Sequence, residues 1–108
     1  MKHFLDFLFG KKLPKDDRIV CESWKQRHQL GVWFLPWRWN NDDIVNLFER
    51  MGIKAPFKLQ GGSYPYQMCV TSAKGKKCIV FLNCDFIEDT VAFIFDDGTR
   101  KESTLYPR

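Results

Sequence analysis

The residues of this chain best suited to chemistry are four cysteines, Cys21, Cys69, Cys78 and Cys84, and two histidines, His3 and His28. A structural zinc site draws on close Cys or His pairs. Here the spacing is Cys69-x8-Cys78-x5-Cys84, with Cys21 remote. No close pair exists, and the four thiols read as small apolar packing residues. Nucleophilic catalysis needs a base beside Ser, Thr or Cys, and both histidines stand in polar helical contexts that read as surface. Acid–base cleavage of RNA would combine His3, His28 and Lys25, but no spacing joins them. Glu22 and Lys25 lie one helical turn apart, the pattern of a surface ion pair. Gly61-Gly62-Ser63-Tyr64 lacks the Lys-Ser/Thr that completes a phosphate-binding loop. The expectation is no catalytic set, no metal site, no cofactor and no enzyme.

Binding is the chemistry that remains. Trp33, Trp37 and Trp39 crowd into seven residues together with Phe34, Pro36 and Arg38. Large rings bury much area at low rotamer cost, and Trp and Arg are enriched at binding hot spots. Trp33 and Phe34 read as core. Trp37, Arg38 and Trp39 fall in a connection expected at the surface, with at least one of the two indoles half exposed. Tyr64 and Tyr66, in a glycine-rich loop, add amphipathic contact residues. Acids come in pairs, and Asp42-Asp43, Glu88-Asp89 and Asp96-Asp97 are the candidates to face a cationic cleft on a partner. Asp16-Asp17 is a fourth pair; such pairs also serve as caps and turn residues.

The rival reading is single-stranded nucleic acid, RNA above all. It would be held by Lys74, Lys76 and Lys77 at a hairpin, with Tyr66 and neighbouring rings stacking on bases. Lys74-Gly75-Lys76-Lys77-Cys78-Ile79-Val80-Phe81 is superficially similar to the start of an RNA-recognition strand. However, Lys76 and Cys78 stand where stacking aromatics are wanted. The formal charge of +4 permits this reading without requiring it.

The elements that position these residues follow from pattern. With 108 residues, 44 % hydrophobic and 28 % charged, the chain suits one domain, residues 1–108, with one core. Residues 2–9 predict a short helix with Phe4, Leu5, Leu8 and Phe9 on one side. Residues 17–30 predict a second helix ending at Gly31; its competitor is a strand over 18–24. Val32–Leu35 suggests a short strand limited by Pro36. Asn40-Asn41-Asp42-Asp43 is a strong helix start. The helix it opens runs to about Met51 with Gly52 as terminator.

A short strand is expected near Phe57–Gln60. Hairpins follow, Gln67–Ser72 with Lys77–Cys84 and Thr90–Asp96 with Thr99–Leu105. A first hairpin turning at Lys74-Gly75 would put Met68 and Val70 on one face with Ile79 and Phe81. The fold class is α+β: an antiparallel sheet of three to five strands, mostly C-terminal, packed against two or three N-terminal helices.

No secretory signal or transmembrane-length run is present, so a cytoplasmic location without membrane association is expected. A small aromatic-rich domain without a catalytic set has the profile of dedicated inhibitors. Bacterial immunity proteins, which neutralise a toxin by stoichiometric binding and active-site occlusion, are the leading expectation. The partner would be a toxin or enzyme domain.

Overall fold

The computed structural model describes residues 13, 15–34, 39–61, 67–83 and 90–104. The helix expected over 2–9 lies outside them. In chain order the elements are β1 (Ile19–Cys21), α1 (Trp24–Phe34), α2 (Asn41–Arg50), β2 (Phe57–Gln60), β3 (Gln67–Ser72), β4 (Lys77–Asn83), β5 (Thr90–Phe95) and β6 (Arg100–Thr104). The strands form one sheet in sequence order, β1 to β6. β1 runs parallel to β2, and every later neighbour is antiparallel. The α+β class holds. Among the described residues the sheet has six strands and is mixed, where three to five antiparallel strands were expected, and there are two helices.

Helix α2 is dictated locally. The Asn40 side chain accepts a hydrogen bond from the Asp43 amide at 2.9 Å. The Asp43 carboxylate accepts one from the Asn40 amide at 2.9 Å. This reciprocal capping box satisfies two donors that the first turn would otherwise leave open. Ile44, Leu47 and Phe48, at helical spacing, are buried. Gly52, at φ +99°, ends the helix: its amide donates to Glu49 O at 3.0 Å and the Ile53 amide to Phe48 O at 2.9 Å, the paired bonds of a Schellman stop.

Helix α1 starts later and ends later than its sequence suggests. Residues 19–21 pair with β2 as a strand. Ser23-Trp24-Lys25-Gln26 then fits a capping pattern, and the Ser23 hydroxyl donates to Gln26 Oε1. Gly31 does not terminate the helix. It is buried inside it, and the anchoring of Leu30, Trp33 and Phe34 in the core outweighs the roughly 1 kcal/mol that an internal glycine costs. Trp33 and Phe34 are therefore helical, not part of a strand over 32–35.

Both C-terminal hairpins use the same turn. The Gly75 amide donates to Ser72 O at 2.9 Å and the Ser72 amide to Lys76 O at 2.8 Å. The Gly98 amide donates to Phe95 O at 3.0 Å and the Phe95 amide to Thr99 O at 2.8 Å. Gly75 and Gly98 lie at φ +87° and +90°. These are three-residue loops closed by a glycine bulge. The extra loop residue moves the pairing by one relative to a turn at Lys74-Gly75. Met68 faces Val80 and Val70 faces Cys78, not Phe81 and Ile79, and a one-residue slip exchanges the two faces.

The inner face of the sheet carries Phe57, Leu59, Met68, Val70, Val80 and Phe93, each at most 1 % exposed. It joins residues of both helices in one apolar core. Phe48 of α2 stacks flat on Phe57 of β2 (centroids 4.4 Å, 8°) and meets Phe93 of β5 edge-on (4.9 Å, 85°). Replacing Phe48 by Ala should lower stability by about 3–5 kcal/mol. Gly75→Ala, which forces a side chain into left-handed backbone, should cost about 1–2 kcal/mol. Urea unfolding of both variants, read from the transition midpoint, checks the order of these effects.

Candidate functional site

The aromatic tract expected to grip a partner is largely core where it is described. Trp33 is 1 % and Trp39 4 % exposed. Trp39 stacks on Phe34 (5.3 Å, 27°), and its amide donates to Phe34 O at 3.2 Å. Its indole Nε1 is buried without a hydrogen-bond partner among the described residues. Helix α1 continues to Phe34, and Trp39 lies against that ring. Trp39 is thus a packing residue and not a surface contact. Trp37, Arg38, Tyr64, Tyr66, Glu88 and Asp89 lie outside the described residues.

Asp16, Asp42, Asp43 and Asp97 are engaged by local structure. Asp43 closes the cap of α2. Asp42 meets the Arg18 guanidinium at 2.6 Å, and the same nitrogen meets Asp16 at 2.6 Å. Asp97 accepts from the Thr99 amide at 2.8 Å inside the β5–β6 turn, which holds its carboxyl below the ordinary carboxylate range. Asp42 stands beside β1, whereas Asp96 and Asp97 follow β5. Four strand spacings, about 19 Å, separate those two strands, so the pairs do not form one acidic face.

The hairpin lysines diverge as well. Lys77 shares the outer face with Lys58 and Thr71. Lys74 sits in the turn, and Lys76 reaches over the Phe95 ring at 4.6 Å. They do not make a single lysine patch.

Cys78 lies in the core and Cys21 packs against it, while Cys69 is half-buried on β3. Cys21, Cys69 and Cys78 are free. Burial pushes the Cys78 thiol up to about 12 and raises that of Cys21. A thiol kept protonated at neutral pH is a weak nucleophile. Cys84 and His3 lie outside the described residues. Among the described residues, no three His, Cys, Asp or Glu side chains gather as a metal cluster would require, and no helix is long and apolar enough to cross a membrane.

One surface feature remains without a packing role in the core. Trp24 is 60 % and Val20 43 % exposed, the large hydrophobic side chains left open among the described residues. They border a groove of about 750 Å³ beside β1, shared with Lys15, Asp17, Cys21 and Arg27. The Trp24 ring stacks on His28, one turn further along α1 (4.8 Å, 13°), a pairing the i, i+4 spacing permits. The stacked partner holds the indole without burying it.

At Ile19 the outer edge of β1 is already satisfied. The Ile19 amide donates to Asp16 O at 3.0 Å, and Arg27 donates to Ile19 O at 3.1 Å. Edge groups satisfied in this way resist strand addition. Arg18, bridging Asp16 and Asp42, fixes the turn that leads into β1.

Sequence reasoning placed Trp24 on the inward face of a helix over 17–30. The capping pattern at Ser23–Gln26 was the overlooked signal. Starting the helix at Trp24 sets Gln26, Gln29, Leu30 and Trp33 inward, and at about 100° per residue the indole falls on the opposite side. Comparisons with protein-family models, curated proteins and solved structures gave no match, so the functional reading rests on this geometry.

The Arg18 hydrogen bonds lower the Asp16 carboxyl from the ordinary 3.8 to about 2. The folded state therefore binds this proton less readily than the unfolded chain. Its stabilising contribution is complete above pH 4 and is lost as pH falls toward 2. NMR titration of the Asp16 carboxyl should show this low midpoint, and Arg18→Gln should return it toward 3.8.

Proposed function

We propose that this protein acts by stoichiometric binding of a protein partner through the Trp24 face beside β1. The observation that carries the reading is an indole 60 % exposed, stacked on His28 at the rim of a groove. An exposed tryptophan held in place loses little freedom on binding, and such rings dominate interface energetics. Val20 extends the apolar centre. Lys15, Asp17 and Arg27 supply a polar rim of mixed sign, the arrangement expected around a desolvated anchor. In its sharper form the proposal is an inhibitor of the immunity-protein kind. It would act in the cytoplasm and occlude the active site of a toxin or enzyme domain. Support for that form comes from the small aromatic-rich domain and from the free cysteines Cys21, Cys69 and Cys78, which suit a reducing compartment.

Trp24→Ala should leave the fold intact, because the ring contributes little to the core, and should weaken the complex by about 2 kcal/mol, roughly thirtyfold. The measurement is calorimetric titration of wild type and variant against the purified partner domain, with circular dichroism to confirm folding. Unchanged affinity in the folded variant would remove Trp24 from the interface. Tight binding to unrelated oligonucleotides that collapses with added salt would instead favour the nucleic-acid alternative.

A further inference from the structure

A second site stands apart from the Trp24 groove, where the C-terminal end of α2 meets the β3–β4 turn and β6. Lys76 Nζ lies 4.6 Å and Lys101 Nζ 5.7 Å from the centre of the Phe95 ring. A Cβ at position 52 would stand 3.3 Å from the first ammonium and 3.4 Å from the second. Two positive charges from distant parts of the chain thus converge on one ring and one glycine.

The convergence is built by the fold. Lys76 follows the glycine bulge of its turn. Lys101 pairs in register with Phe93 and so stands on the inner side of an edge strand, with its head group reaching outward past Phe95. Gly52 ends α2 and leaves the space open.

Like charges this close repel, and something must offset the repulsion. The Phe95 face attracts both through its quadrupole, and the carbonyl end of α2 adds negative potential. Neither ammonium forms an ion pair or a hydrogen bond to protein among the described residues. Asp97 is the acid whose field couples to Lys76, but its carboxylate is engaged by the Thr99 amide. Both lysines therefore present free N–H donors to the same volume.

We propose that Lys76 and Lys101, seated on Phe95 beside Gly52, form a binding site for a phosphate group. Three N–H donors on each ammonium suit a tetrahedral oxyanion, which would cancel the repulsion that the ring and helix end only reduce. Two sources share this chemistry: a phosphate monoester or inorganic phosphate, and the phosphodiester of a nucleic acid.

The experiment is an NMR titration of the full chain, following lysine side-chain resonances at constant ionic strength. One arm uses inorganic phosphate and the other a single-stranded oligonucleotide lacking terminal phosphates. The expected result is a saturable shift at Lys76 and Lys101 that exceeds the shift at Lys74, a lysine of the same turn that makes no contact with the Phe95 ring. Lys76→Gln and Lys101→Gln, which keep most of the apolar stem, should each weaken binding about tenfold with the amide spectrum otherwise unchanged. Response to phosphate alone assigns the site to a monoester or the free ion. Response to both, or to the oligonucleotide alone, assigns it to a phosphodiester. The proposal is overturned if neither ligand gives a saturable shift, if Lys74 responds as strongly, or if the folded glutamine variants bind like wild type. None of these outcomes bears on Trp24, whose test is independent.

Discussion

The stack of Phe48 on Phe57, closed from the side by Phe93, is the contact on which the architecture turns. It joins one helix to the second and fifth strands at once, so α2 cannot shift without opening the core across most of the sheet. Local signals had already set the length of that helix: a reciprocal cap at Asn40 and Asp43, and a left-handed stop at Gly52. A helix of fixed length, pinned in its last turn by Phe48, has ends at defined places. One end brings Asp42 to Arg18 beside β1. The other brings Gly52 to the ring of Phe95. The approach to the Trp24 groove and the lysine pair on Phe95 therefore both depend on a single buried aromatic contact.

The two ends use charge differently. At the first, Arg18 lies between Asp16 and Asp42, and the groups satisfy one another. Such exposed pairs stabilise little by themselves, but they fix the approach to β1 and with it the position of the groove. At the second, two lysines share a ring without an acid between them. The first arrangement is complete within the described part of the protein, and the second leaves its donors directed at solvent.

Much of this fold was legible because its signals are local. The capping box, the glycine stop and the strands Phe57–Gln60 and Gln67–Ser72 stand in the sequence as in the structure. What was misread depended on contacts from afar or on single-residue counts. β1 is three residues long, and its partner lies far along the chain, so nothing in its own pattern separates it from a helix. The inward stripe of α1 begins with Gln26 and Gln29, which are buried yet polar and mask the apolar period; Gln29 is held by the Gln67 carbonyl of β3 at 3.1 Å. One additional loop residue before Gly75 exchanged the faces of β3. The candidate site suffered most. Indole density drew attention to Trp39, which is enclosed, while Trp24, isolated in sequence, stands open because the helix begins there.

The parallel pairing of β1 with β2 has a further implication. Strands β2 to β6 follow one another through short connections and can assemble by zipping. β1 can join only after a loop of about 35 residues, containing both helices, has closed, and that closure is entropically costly before any contact rewards it. The edge that frames Trp24 is thus the least local part of the fold. It belongs among the late steps of assembly and among the early ones of partial opening. A partner reading that edge would distinguish the finished protein from an incompletely folded one.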